Sequence, residues 1–184
     1  LCNRWVFNPI EMSSTSYNPS SAIVGNTAPT EEDDYFRNRV LIGEVHDENA
    51  HLLNGVSGHA GIFSNSYDLA KYAQVFLDGG TWLGNRVFSY NSIQEFTTRQ
   101  ELPPGSDRAL GWDTPSRNGK SSAGDYFSNH SYGHLGFTGT SLWVDQENQV
   151  IVVLLTNRVH PTRDTGGMYS LRRQFHTEVM KAIL

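Results

Sequence analysis

The chain has 184 residues, 38% of them hydrophobic and 18% charged, with a net charge of -5. That is enough apolar material for one domain of ordinary size and excludes a disordered tail, and the negative balance gives no reason to expect nucleic acid or an anionic membrane surface as partner. The single cysteine, Cys2, excludes an internal disulfide framework, and no apolar run approaches the ~20 residues of a membrane span.

In chain order, the first residue is Leu1, and no charged segment followed by an apolar run resembles a signal peptide. The chain is therefore expected to begin inside a larger protein. Residues 18–34 are rich in Ser, Pro, Asn and Thr and predict a long irregular connection over the surface. Within it, Ala28-Pro29-Thr30-Glu31 also reads as an N-cap and acidic first turn leading into a helix over EEDDYFRNR, residues 31–39.

His46, Asp47, Glu48, His51 and His59 form the densest set of candidate ligands and proton carriers. His and carboxylate ligands suit zinc, although this spacing is not diagnostic and no metal is expected. His46 or His59 could instead line a substrate pocket and hydrogen-bond there, or be a satisfied histidine that holds loops together.

Ser66–Leu77 predicts a helix, with Leu69, Tyr72, Ala73, Phe76 and Leu77 on one stripe, Asn65 or Ser66 as cap and Gly79-Gly80 as its end. An aromatic stripe at this spacing is core rather than a cofactor site, and no cofactor is expected. Asn91–Thr98 predicts another short helix, Pro103-Pro104-Gly105 a turn, Arg108–Trp112 a short strand and residues 115–131 a long loop. Met168–Leu184 carries Leu171, Phe175, Val179 and Ile183 four apart, which predicts an amphipathic helix packed on a sheet.

The stretch Tyr132–His160, YGHLGFTGTSLWVDQENQVIVVLLTNRVH, predicts a hairpin turning at Gln146-Glu147-Asn148. VIVVLLT is apolar without alternation, as expected of a strand covered on both faces. If Asp145 pairs with Gln149, opposed residues sum to about 294, give or take two for a bulge, so that Phe137 falls near Asn157 and His134 near His160. This gathers His134, Gly136, Asn157, Arg158 and His160 at one end of a sheet. Gly133, Gly136 and Gly139 suggest that something approaches this backbone closely, and free N–H groups on such a strand suit an oxyanion hole. An ordinary Gly-rich turn is the plainer alternative.

GHLGFTGTSLWVD resembles the third motif of the serine β-lactamase and penicillin-binding-protein superfamily, in the class C-like branch of esterases, amidases and D-aminopeptidases that carries H-x-G where others carry K-T-G. His134, Leu135 and Gly136 occupy the motif positions, with Leu135 where the family usually has Thr. WVFNPIEMSSTSYNP, GEVHDENA (43–50), SGHAGIFS (57–64) and TNRVHP extend the resemblance from about Trp5 to the C-terminus. It implies an α+β fold, a mainly antiparallel sheet with packed helices, of which residues 1–184 are the C-terminal part and the N-terminal half is missing. It further implies that Phe137 supplies an oxyanion-hole N–H and that His134 stands for the motif's cationic or hydrogen-bonding residue. Substrate contacts are expected from Asn157, Arg158, His160, His46 and His59.

The superfamily's nucleophile is the Ser of S-x-x-K. Lys71, Lys120 and Lys181 are preceded three places earlier by Asp68, Arg117 and Glu178, so that motif is not in this chain. Ser16-Tyr17-Asn18 and Ser89-Tyr90-Asn91 imitate the second motif without its context. The resemblance implies, for the complete protein, a serine hydrolase acting through an acyl-enzyme on a small-molecule or peptide substrate. A cell-wall peptide or muropeptide, a periplasmic or extracellular location and a fused or neighbouring glycoside hydrolase fit that branch. A non-catalytic peptide- or glycan-binding module of the same fold and a metal-dependent hydrolase are the alternatives.

Overall fold

The computed structural model describes all 184 residues. Its strands are β1 (Ser16–Tyr17), β2 (Glu32–Asp33), β3 (Arg39–Val40), β4 (Ile62–Phe63), β5 (Thr81–Trp82), β6 (Asn85–Arg86), β7 (Ser131–Leu135), β8 (Ser141–Asp145) and β9 (Val150–Leu154). The α-helices are α1 (Glu48–Leu52), α2 (Ser66–Leu77), α3 (Tyr90–Thr97) and α4 (Met168–Ile183). β7, β8 and β9 make one antiparallel sheet in that order, while β1–β4, β2–β3 and β5–β6 are two-stranded antiparallel ribbons.

The central sheet separates two apolar layers, and side-chain alternation decides which residue goes where. Tyr132, Leu142, Val144 and Ile151 point toward Ala73 and Phe76 of α2 and Ile93 of α3. Trp143, Val150 and Val152 point the other way, onto Met180, Phe175 and Val179 of α4. β9 is thus apolar on both sides because a helix covers each. A third cluster, Phe7, Ile10, Met12 and Val75, packs the N-terminal segment behind α2.

α2 begins and ends where its sequence signals lie. Asn65 Oδ1 accepts from Asp68 N at 2.8 Å, and the chain leaves the helix through Gly79 and Gly80, both with positive φ. The buried carboxylate of Asp68 accepts from Ser14 N at 2.8 Å and Thr15 Oγ1 at 2.9 Å, which ties the N-terminal segment to this helix.

Four expectations are corrected. Residues 31–39 form the β2–β3 ribbon rather than a helix: Asp33 accepts from Phe36 N at 2.9 Å and from Arg37 Nε at 2.6 Å, closing a turn that competes with helical pairing. Arg108–Trp112 is a tight turn, with Ala109 N bonded to Trp112 O at 2.9 Å and Gly111 at φ 80°, flanked by a bridge between Arg108 and Asp113. α4 packs on the sheet with Phe175 and Val179 of the expected stripe, but its most buried residues are Arg172, His176, Thr177 and Met180, and Leu171 and Ile183 are exposed. Finally, Tyr132–Asp145 is not one strand. It folds at Gly136–Thr140 into a hairpin of its own, with His134 opposite Leu142, so His134 does not face His160. The second hairpin pairs Asp145 with Val150, within the expected margin.

Candidate active site

The site is built on the turn between β7 and β8. Gly136 N donates to Thr140 O at 2.8 Å and Gly139 N to Gly136 O at 3.1 Å. The remaining carbonyls are taken from outside: Arg158 N donates to Thr138 O at 2.8 Å, Arg158 Nε to Phe137 O at 2.7 Å, and Thr156 Oγ1 to Gly139 O at 2.7 Å. Arg172 Nη2, reaching up from α4, donates to Gly136 O at 2.6 Å and Thr140 O at 2.8 Å. Three amides of the turn, those of Phe137, Thr138 and Thr140, are left over. Phe137 N–H has no hydrogen-bond partner, on a residue that is 59% exposed.

The glycines of this region are crowded by the protein itself. A Cβ at Gly133 would strike the Trp143 ring, one at Gly136 the Thr140 hydroxyl, and one at Gly139 the Thr156 hydroxyl and the Arg158 amide. What approaches this backbone closely is the protein itself: the glycines let the turn close on its own side chains.

Phe137 carries the electrostatics of its surroundings on its ring. The His46 ring stacks on it at 5.6 Å and 26°, and the Arg158 guanidinium lies 4.4 Å from its centroid. Behind His46, Nε2 is 2.9 Å from Glu31 Oε2. The buried Glu31 also accepts from Arg163 N at 2.8 Å and from its guanidinium, which bridges on to Glu48 Oε1 at 2.7 Å. Tyr35 O–H closes the chain on Glu48. Arg163's hydrogen bonds hold the Glu31 carboxyl at about 2, against a smaller opposing effect of burial. These are the residues that sequence reasoning missed: Glu31 was read only as part of a helix, and Arg163 carries no motif of its own.

The other expected residues have these positions. His134 is exposed at the end of β7 with its pKa lowered, first by desolvation and then by the charge of Arg108. Asn157 Nδ2 donates to Pro29 O, and His160 Nδ1 to Thr30 O at 2.9 Å, so both pin residues 29–30 rather than turning toward Gly136. His59 sits between Ser57 Oγ at 2.7 Å and Asp47 Oδ1 at 2.9 Å. His51 pairs instead with Glu44. The dense His and carboxylate set thus separates into pairs, and no three such groups are placed to hold a metal ion.

Between the turn and the start of α4 lies an open groove of about 430 Å³, lined by Leu135, Gly136, Phe137, Arg158, Tyr169 and Arg172 among others. Neither arginine is paired with a carboxylate, so the groove is positive.

The sequence model of the β-lactamase family matches residues 1–176. The chain belongs to the β-lactamase family. This β-lactamase-family chain is 40% identical over 129 residues to a Salmonella gallinarum protein named "Putative D-alanyl-D-alanine carboxypeptidase", an alignment covering 67% of this chain and 29% of that one. Among solved structures, a β-lactamase from Mycobacterium bovis superimposes with a TM-score of 0.63 at 20% identity, covering 98% of this chain and 54% of that one. A penicillin-binding-protein homologue from Caulobacter crescentus gives 0.62 at 15%, covering 100% and 52%. These two share its α+β fold. The chain therefore spans about half the length of the solved relatives and under a third of the Salmonella protein. No helix is long and apolar enough to cross a membrane.

Proposed function

We propose that the complete protein is a serine hydrolase that cleaves an amide in a cell-wall peptide through an acyl-enzyme, and that these residues supply one wall of its active site. The observation that carries this reading is the unpartnered N–H of Phe137, an exposed residue that lines an open, positive groove. A serine oxygen from outside the 184 residues adds to the peptide carbonyl carbon, and the carbonyl oxygen, now negative, accepts from Phe137 N–H. The C–N bond breaks, the amine leaves with a proton, and water hydrolyses the ester. His134, at the end of β7 and two residues before Gly136, takes the motif's hydrogen-bonding role in this reading. With its pKa lowered it is a neutral imidazole near pH 7, able to donate or accept but not to act as a fixed cation.

The likeness to a protein named for D-alanyl-D-alanine carboxypeptidase activity points the reading toward a peptide with a free C-terminal carboxylate, for which Arg158 in the groove is the complementary group. Such a substrate lies outside the cytoplasmic membrane, so the protein is placed in the periplasm or outside the cell as part of the proposal. The test is incubation of the complete protein with an acyl-D-alanyl-D-alanine peptide and with a fluorescent penicillin. Release of D-alanine and covalent labelling of one serine are expected. Absence of both, with the peptide still bound, would assign a non-catalytic binding module instead.

A further inference from the structure

Arg172 is a buried cation with no anion. It is 7% exposed, no carboxylate pairs with it, and its Nε has no partner. Burial, followed by the nearby charge of Arg158, lowers its pKa. An unpaired guanidinium in such a place is costly unless its hydrogen bonds are well used. They are used on two atoms: Nη2 donates to Gly136 O at 2.6 Å and to Thr140 O at 2.8 Å.

Gly136 O belongs to the same peptide group as Phe137 N–H. A peptide group is one conjugated plane, so a cation bonded to its oxygen draws electron density from the nitrogen and makes the N–H a stronger donor. The bond is charge-assisted and lies in a partly dry turn, where its field is poorly screened. We infer that Arg172 is the positioning residue of the oxyanion hole: it fixes the 136–137 peptide plane through Gly136 O and polarises the Phe137 N–H on the opposite edge of that plane. The inference rests on the reading of Phe137 as oxyanion donor. Two features separate it from a mere tether between α4 and the turn. Gly136 O already accepts from Gly139 N at 3.1 Å, so the carbonyl is satisfied without the arginine, and the oxygen that receives the shorter of the two Arg172 bonds is the one conjugated to the Phe137 amide.

The discriminating variants are Arg172→citrulline, neutral and nearly isosteric, installed by ligation of a synthetic C-terminal peptide, and Arg172→Lys, which keeps the charge. In the 184-residue chain, hydroxide-catalysed exchange of the Phe137 amide with water is read by saturation-transfer NMR. A polarised N–H is more acidic, so exchange at Phe137 is expected to slow several-fold in Arg172→citrulline, with α4 amides unchanged, and to stay closer to wild type in Arg172→Lys. In the complete protein, acylation by penicillin is expected to fall at least tenfold in the citrulline variant with little change in KM, and to recover in part in the lysine variant. Unchanged exchange at Phe137 in the citrulline variant, or equal loss of acylation in both variants with KM raised, overturns the inference. The two readings fail separately. A complete protein that neither hydrolyses the peptide nor takes up penicillin sinks the hydrolase reading, while the exchange measurement still decides the role of Arg172.

Discussion

His46 stacks on Phe137 at 5.6 Å while its Nε2 lies 2.9 Å from Glu31, so a buried carboxylate in the ribbon region is coupled through one imidazole to a residue that lines the groove and has an unpartnered amide. Glu31 and Arg163 are 132 positions apart in sequence, and the pair welds the loop before β2 to the segment after β9.

Glu31→Gln is expected to remove the charge that Arg163 and His46 share and to leave the guanidinium with Glu48 alone. Breaking a buried pair by removing one partner costs about 3–5 kcal/mol, and the lower end applies here because Arg163 is partly exposed and keeps Glu48. Urea denaturation should therefore show a midpoint shifted down with the slope unchanged. The pH dependence has a definite sign. Glu31 and Glu48 both lie at about 2 in the folded chain against 4.5 for the free group, so the stability they contribute is present above about 4.5 and is lost as pH falls toward 2. The Gln variant should lose part of that acid transition; an unaltered profile would show that the carboxylate contributes nothing to folding.

His176 predicts a second, higher acid transition. It is fully buried between Phe127 and Phe175, its Nε2 is 3.0 Å from Ser141 Oγ and its Nδ1 has no partner. Desolvation, then the charge of Arg172, pushes its pKa down to about 4. The unfolded chain takes up this proton near 6.5 and the folded chain only near 4, so stability declines as pH falls between those values. The expected magnitude is about 3 kcal/mol at most across the interval, from roughly 1.4 kcal/mol per pKa unit. His176→Phe should flatten Tm against pH in that window, and a persisting decline would assign it to other groups.

How much of this was legible beforehand depends on where the deciding contact lies. α2 was readable to the residue because its cap Asn65, its stripe and its terminal glycines are all local. β9 was readable because both of its faces are apolar, and its pairing with β8 because Gln146–Gln149 is a short polar turn. The break at Gly136–Thr140 was not, since Gly-Phe-Thr-Gly serves a strand end or a turn equally until Arg158, Thr156 and Arg172 arrive from distant positions to take its carbonyls. The inward face of α4 was only half legible for a related reason. Leu171, Phe175, Val179 and Ile183 outvote Arg172 and His176 on hydrophobicity, yet Arg172 and His176 find carbonyl and hydroxyl partners inside, so that Phe175 and Val179 stay at the edge of the core while Leu171 and Ile183 face out. Likewise, Asp33 and Arg37 at an i, i+4 spacing look helical, but Arg37 donates to Val45 O and His46 O at 2.7 Å each and builds the ribbon instead.

Gly133→Ala tests the packing that holds β7 in place. A methyl group there would be driven into the Trp143 ring and the Leu142 carbonyl, and Trp143 is 1% exposed with Phe127 against it. The ring has nowhere to move, so a loss of about 1–3 kcal/mol or more is expected from overpacking. Because His134 and Phe137 lie just beyond, penicillin acylation of the complete protein should fall along with stability. A variant as stable as wild type would mean that β7 can lift from β8 without consequence.

Arg158 is the last residue whose two roles can be separated. It does not pair with Asp164 or any other acid; its Nε donates to Phe137 O at 2.7 Å and its Nη1 approaches Arg163 O at 3.3 Å and Thr165 O at 3.4 Å. One edge of the guanidinium therefore braces the turn, while the residue also lines the groove with its charge uncompensated. A brace and a carboxylate receptor predict different kinetics for Arg158→Lys and Arg158→Ala in the complete protein. If the charge receives a substrate carboxylate, Arg158→Ala should cost a carboxylate-bearing peptide ~1.5–3 kcal/mol more in kcat/KM than the same peptide as its C-terminal amide. Arg158→Lys should then retain part of that difference, since an ammonium keeps the charge but lacks the planar fork. Equal losses for acid and amide in both variants would leave Arg158 as the brace of the Phe137 turn alone, and the acceptor of the substrate's terminus would have to be sought elsewhere in the protein.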